Sequence, residues 1–215
     1  MRMQYDVEAD FFPLTACNFR CDYCFLSPAA LGAKLRRYGT GDQWEEGFDA
    51  TGKVWLIHVT GGEPFVYPGF VELCQRLTRR HYLSINSNLA HHAVAEFAER
   101  IDPERVHFIN AAVHFKERQK RAGLDAFIAR ARKLRDANFN LLLSLVMTPE
   151  MVAAYPEVSA IFAAHGLWLV PKILRGPYQG RRYPEAYRVD EKARIDEYLR
   201  EAQRRYADVL VPFGC

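Results

Sequence analysis

The stretch VWLIHVTGGEPFVYPGFVELCQRLTRRHYLSIN, residues 54–86, decides how this chain folds. Its first part, Val54 to Thr60, is a nearly continuous apolar run rich in β-branched and aromatic residues. Such a run suits a strand buried on both faces. Gly69 to Arg80 then spaces its apolar residues at helical intervals, and Tyr82 to Asn86 is a second short strand-like run. A strand, a helix and another strand in close succession form a parallel β/α unit with a right-handed crossover.

The same alternation extends in both directions. Val7 to Leu14, Val106 to Val113, Asn140 to Met147 and Leu167 to Ile173 read as strands. Ala90 to Arg100, Leu124 to Ala137 and Pro149 to His165 read as helices, and the charged segment Asp190 to Tyr206 as a last helix covering an outer face. The chain is shorter than an eight-fold barrel needs. The expectation is therefore an α/β fold, a partial (β/α)6 barrel with parallel strands, occupying residues 1–215 as one domain. Ligands of such folds sit at the carboxyl ends of the strands. Ser27 to Thr51, carrying Gly32, Gly39, Gly41 and Gly47, is the most irregular segment and is expected to be a loop that acts as a lid. Arg175 to Pro184 is expected to be flexible.

Of the 215 residues, 49% are hydrophobic and 26% charged, as in a protein with a real core. The net charge of +3 is interspersed, which argues for neither a nucleic-acid nor a membrane-surface partner. No apolar run is long enough to span a bilayer. The first residues, MRMQYDVEAD, do not read as a secretory signal. A cytoplasmic location follows, where cysteines serve as metal ligands or free thiols rather than disulfides.

The segment CNFRCDYC, residues 17–24, places Cys17, Cys21 and Cys24 just after the first strand. Thiolates are soft ligands for zinc or iron–sulfur clusters. Structural zinc takes four ligands, commonly from two separated pairs. Here three lie in one loop with no fourth nearby, so a zinc knuckle completed from a distance and a set of plain loop thiols both stay open. With an aromatic before its third cysteine, this CxxxCxxC pattern resembles the cluster-binding loop of the radical S-adenosylmethionine (radical SAM) superfamily. The resemblance implies that the three cysteines hold a 4Fe-4S cluster whose fourth iron is left for S-adenosylmethionine (AdoMet), with Tyr23 near the adenine.

Downstream, VTGGEP follows the second strand. Its glycines let a backbone come close, although a plain turn has the same composition. The resemblance implies that Gly61, Gly62 and Glu63 receive the AdoMet ammonium, with Pro64 stiffening the exit. The third strand ends in SINSNL. Here Asn86, Ser87 and Asn88 are implied to approach the ribose and carboxylate, and an Asx turn before a helix is the structural alternative. The three motifs occur in family order, each at the end of a strand, and the resemblance runs over roughly residues 7–175.

Other residues at strand ends complete the candidate site. His114 follows strand four and could orient substrate or move protons, or merely cap the strand. Ser144 on strand five could face the cofactor. Lys172, followed by Arg175, could hold an anionic group. Cys74 reads as a core residue. In many family members an extension beyond the barrel carries auxiliary-cluster cysteines, of which Cys215 in VPFGC would be the first; a free thiol is the other reading. The resemblance further implies a reductant such as flavodoxin or ferredoxin. It implies reductive cleavage of AdoMet to a 5′-deoxyadenosyl radical that abstracts hydrogen from the substrate. A peptide or protein is the first expectation for that substrate, and a sugar or nucleoside the second. An electron-transfer iron–sulfur protein and a zinc-binding module are the alternatives from other classes.

Overall fold

The computed structural model describes residues 3–32 and 38–206. β1 (Val7–Phe11) is followed by α1 (Pro28–Gly32), α2 (Gly41–Asp49) and β2 (Trp55–Val59). Next come α3 (Phe70–Leu77), β3 (Tyr82–Ser87), α4 (Val94–Arg100), β4 (Val106–Ala112), α5 (Phe115–Lys120) and α6 (Leu124–Asp136). β5 (Leu141–Met147), α7 (Pro149–Ala163), β6 (Leu169–Ile173), β7 (Gly176–Tyr178), β8 (Arg181–Tyr183) and α8 (Val189–Arg205) complete the described chain. β1 to β6 form one sheet in sequence order with every pairing parallel, the topology of a partial (β/α)6 barrel.

Because strand side chains alternate, residues in register share a face. Ile57, Val59, Leu83, Ile85, Ile109, Ala111, Leu143, Leu145 and Met147 face the helices. They pack with Phe97, Phe127 and Phe162, each almost fully buried, which at about 1.5–3 kcal/mol per large apolar side chain is the main force closing the layers. Cys74 lies in this core, as the sequence suggested. The opposite, inner face carries Asp10, His58, Ser84, Asn86, Asn110, Ser144 and Lys172. α8 runs along the edge of β6. Its Ile195 joins the main core, while Ala202 meets Leu142 and Val170 on the other face. That placement covers a sheet edge that would otherwise be open.

Two expectations are corrected. Ser27 to Thr51 is not an open lid: its second half is α2, begun by a capping box in which Thr40 Oγ1 accepts the Gln43 N–H at 3.2 Å. Trp44 and Phe48 stand edge-on to Phe11, and Asp42 and Glu45 pair with Arg76 of α3. α2 is therefore a crossover helix fixed in the outer layer; residues 33–37 lie outside the described residues. Arg175 to Pro184 forms an antiparallel hairpin. Gln179 and Gly180 both take positive φ (48° and 73°), the two-residue turn whose twist matches its strands. Tyr178 and Tyr183 of this hairpin are buried, and the Tyr187 hydroxyl accepts the Leu174 N–H. Among the described residues no helix is long and apolar enough to cross a membrane. Cys215 lies outside them.

Candidate active site

At the carboxyl ends of β1 to β3 the three motifs brace one another. The pairing of β1 with β2 continues past the strands: the Gly62 N–H donates to Leu14 O at 3.0 Å and the Glu63 N–H to Ala16 O at 2.9 Å. These bonds fasten the start of the cysteine loop to the GGEP turn. The fit depends on missing side chains. A Cβ on Gly62 would lie 2.0 Å from Ala16 O, and one on Gly61, at φ +124°, would lie 2.4 Å from Leu14 O. The backbone that the two glycines admit is thus that of the chain's own cysteine loop.

Glu63 is 1% exposed and joins the second motif to the third. Its carboxylate accepts the Ser87 hydroxyl at 2.7 Å, the Asn88 N–H at 2.7 Å and the Phe65 N–H at 3.2 Å. Burial pushes this carboxyl up to about 7, against the pull of those donors and of the nearby Arg118. Pro64 opens the short 3-10 turn that follows. Ser87 is spent on this contact and on the Leu89 N–H, and it points to the helix side rather than the inner face. Asn88 closes the triangle: its Nδ2 donates to Asn18 Oδ1 at 2.7 Å and lies 3.9 Å from Cys17 Sγ. Asn86 does face inward, where its Oδ1 accepts Asn110 Nδ2 at 2.8 Å. Asn110, which the sequence did not single out, is buried, and its Oδ1 has no hydrogen-bond partner among the described residues.

A second support comes from a helix the sequence did not announce. His114 turns the chain in the left-handed region (φ 45°) into α5, whose residues meet the cysteine loop in succession. His114 Nδ1 lies 2.8 Å from the Tyr23 hydroxyl and 3.3 Å from Cys21 Sγ. Lys116 reaches Asp22 at 3.8 Å, Glu117 accepts the Arg20 N–H at 3.5 Å, and the Arg118 guanidinium stands 5.3 Å over the Phe19 ring. Burial, then the charges of Arg118 and Lys172, lower the His114 pKa to about 4, so its ring is neutral at neutral pH. Lys172 stands exposed near the carboxyl end of β6, and Ser144 is buried on the inner face beside Ala112 and Val170. Tyr178 ties the hairpin into the same rim by its hydroxyl, 2.8 Å from Lys116 Nζ and 3.4 Å from Asp22. A separate groove of about 280 Å³, lined in part by Tyr155, Trp168 and Tyr198, lies between α7 and α8 at the other end of β6.

The three thiols are half-buried, and Cys17 and Cys21 lie within range of the charge on their fellow cysteines. Burial raises Cys17, and burial followed by the charges of Glu117 and Cys17 raises Cys21 to about 12. Anionic sulfur is thus disfavoured there until a metal centre supplies positive charge. Among the described residues no three His, Cys, Asp or Glu side chains, the three cysteines included, gather at single-ion spacing. Three soft sulfurs around one rim fit a polynuclear iron–sulfur centre.

Comparison with known proteins agrees with this chemistry. The family model of the Radical SAM superfamily matches residues 12–157, well over half of the chain. The chain belongs to the radical SAM superfamily. The cofactors of that superfamily are a 4Fe-4S cluster and AdoMet. Its fold is similar to that of anSMEcpe with bound AdoMet, at TM-score 0.69 and 14% identity over 93% of this chain and 58% of that one. The structure of anSMEcpe with AdoMet and the Cp18Cys peptide gives TM-score 0.66 and 14% identity, over 93% and 60% of the two chains. Streptococcus suis SuiB gives TM-score 0.61 and 15% identity, over 92% and 46%. The radical SAM chain described here thus spans about three-fifths or less of the length of these proteins. No curated protein matches it significantly in sequence.

Proposed function

We propose that this radical SAM enzyme acts on a peptide or protein, with Cys17, Cys21 and Cys24 holding the cluster and the GGEP and SINSN segments holding AdoMet. The observation that carries the reading is the mutual bracing of the three motifs at one rim, from Gly62 and Glu63 to the cysteine loop and from Glu63 through Asn88 back to Cys17. When bound, the cluster and AdoMet supply a reductively generated 5′-deoxyadenosyl radical that takes a hydrogen atom from the substrate.

The residues of the chain position and shield that chemistry. Gly61 and Gly62 keep the GGEP backbone against the cysteine loop, and Pro64 fixes its exit. Glu63 gives three of its roughly four acceptor sites to protein donors. Through them it orients the Asn88 backbone, with Ser87 acting through it. Asn86 and Asn110 offer an amide pair on the inner face, and the open Asn110 acceptor suits a ribose or substrate hydroxyl. Ser144 lines the same face. Tyr23, steadied by His114, borders the cluster position beside the adenine. Lys172 offers a cation for a cofactor or substrate carboxylate. The peptide reading is supported by anSMEcpe, of similar fold, which was solved with a peptide. A flavodoxin or ferredoxin in the cytoplasm is the proposed electron donor.

Oxygen-free reconstitution tests the proposal. Brown protein that converts AdoMet to 5′-deoxyadenosine on reduction is the expected result. Brown protein without cleavage indicates an electron-transfer protein, and colourless protein holding zinc indicates a binding module.

A further inference from the structure

Arg118 is the largest fully buried side chain among the described residues, 2% exposed. Its guanidinium donates to three backbone carbonyls, those of Val113, Asn88 and Ala112. It lies 3.9 Å over the Phe127 ring and 5.3 Å from the Phe19 ring. No carboxylate pairs with it at salt-bridge distance among the described residues. Glu63 acts on it through space. Guanidinium does not lose its proton at neutral pH, so a whole positive charge stands in a water-poor setting without an ion partner. An uncompensated buried charge is costly, and three neutral carbonyls are a poor reason to keep one.

Its surroundings point to the missing anion. Phe19, under the guanidinium, donates its N–H to Cys17 Sγ. Asn88, whose carbonyl accepts from Arg118, lies beside Cys17 as well. His114, one helical turn earlier and bonded by its carbonyl to the Arg118 N–H, touches Cys21 Sγ. Arg118 is therefore one residue removed from two of the three thiols, and it feels the charge of Cys21. Three thiolates around an iron–sulfur core carry net negative charge.

We propose that Arg118 is a positioning residue and the fixed counter-charge of the cluster, holding its reduction potential up from beneath the cysteine loop. The inference rests on the cluster reading above. Other charges bear on the same place. Glu117 opposes Arg118 near Cys21 but is neutralised by Lys120 and Arg121, and Glu63, raised by burial, offsets only part of the guanidinium. With water largely excluded, a charge at this range acts through a low dielectric and is weakly screened by salt.

The test compares reconstituted wild type with Arg118→Lys and Arg118→Gln, reading iron per chain and the potential of the cluster by dye-mediated titration without AdoMet. Loss of the charge in Arg118→Gln is expected to lower the reduced-to-oxidised ratio at a fixed poise by about tenfold or more, equal to 59 mV for a one-electron couple. Arg118→Lys keeps the charge with fewer donors and is expected to stay near wild type in potential and iron. If Arg118→Gln fails to hold iron, Lys rescue of the iron content supports the charge. Lys and Gln variants that match each other in both readouts overturn it. So does an Arg118→Gln protein with full iron and the wild-type potential. Wild-type protein without iron overturns the cluster reading itself.

Discussion

Replacing Gly62 by Ala tests the bracing of the cysteine loop. The added methyl would stand 2.0 Å from Ala16 O and 2.4 Å from Thr15 O, both backbone atoms that no rotamer change can remove. The loop must therefore draw back, and the two bonds that fasten it, Gly62 N–H to Leu14 O and Glu63 N–H to Ala16 O, stretch or break. Each such bond is worth about 0.5–1.5 kcal/mol net, and forcing a methyl into a packed position costs about 1–3 kcal/mol. A total of about 2–6 kcal/mol follows, on the order of 10 °C in melting temperature for a domain of this size. Circular dichroism melting of the oxygen-free apoprotein reads the stability, and iron content after reconstitution reads the site. The expected variant melts lower and loads less iron. A Gly62→Ala protein that melts with wild type and takes up full iron refutes the reasoning, since the loop then does not depend on that close approach.

Three more outcomes are expected. Cys21→Ala should lose the cluster and AdoMet cleavage together while its melting curve stays close to that of the wild-type apoprotein; retained cleavage contradicts the assignment. Glu63, with its folded pKa raised from 4.5 to about 7, binds a proton more readily in the folded than in the unfolded chain. Its contribution to stability is therefore present below about 4.5 and is lost as pH climbs through about 7. The melting-temperature advantage of wild type over Glu63→Gln should shrink from pH 5 to pH 8, and a constant or growing gap refutes this. Lys116→Met removes the lysine's contacts to the Tyr178 hydroxyl, Asp22 and Glu150, ion pairs too exposed to add more than about 0–1 kcal/mol to global stability. Faster amide exchange across 176–183 with little change in melting is expected; unchanged exchange shows that the lysine does not hold the hairpin.

The strands and the three motifs were legible in the sequence because each carries its own local signal: an apolar run, a cysteine spacing, a glycine pair. What joins them was not. Glu63 reads as a ligand in GGEP, yet besides the local Phe65 N–H two donors from the end of β3 engage it, and only the folded register brings Ser87 and Asn88 to its carboxylate. Ser87 is likewise placed by strand alternation counted from Ile85, which turns it to the helix side. α5 is six residues long, begins at a left-handed histidine and shows no apolar period, so nothing announced Arg118. α2 hid behind Gly41 and Gly47, although Thr40 and Gln43 form a capping box that a reader of spacings can find. The hairpin turn uses Gln-Gly where Asn-Gly is the stronger signal. The buried arginine follows the same logic: its partners, Asn88 O and Phe127, meet it only in the fold.

Electron paramagnetic resonance of the reduced, reconstituted protein, recorded with and without AdoMet, bears most directly on the site. The expected spectrum is that of a reduced 4Fe-4S cluster whose g-values move when AdoMet is added, the mark of an iron corner that no protein side chain fills. A protein without such a signal, or a cluster spectrum indifferent to AdoMet, contradicts the account.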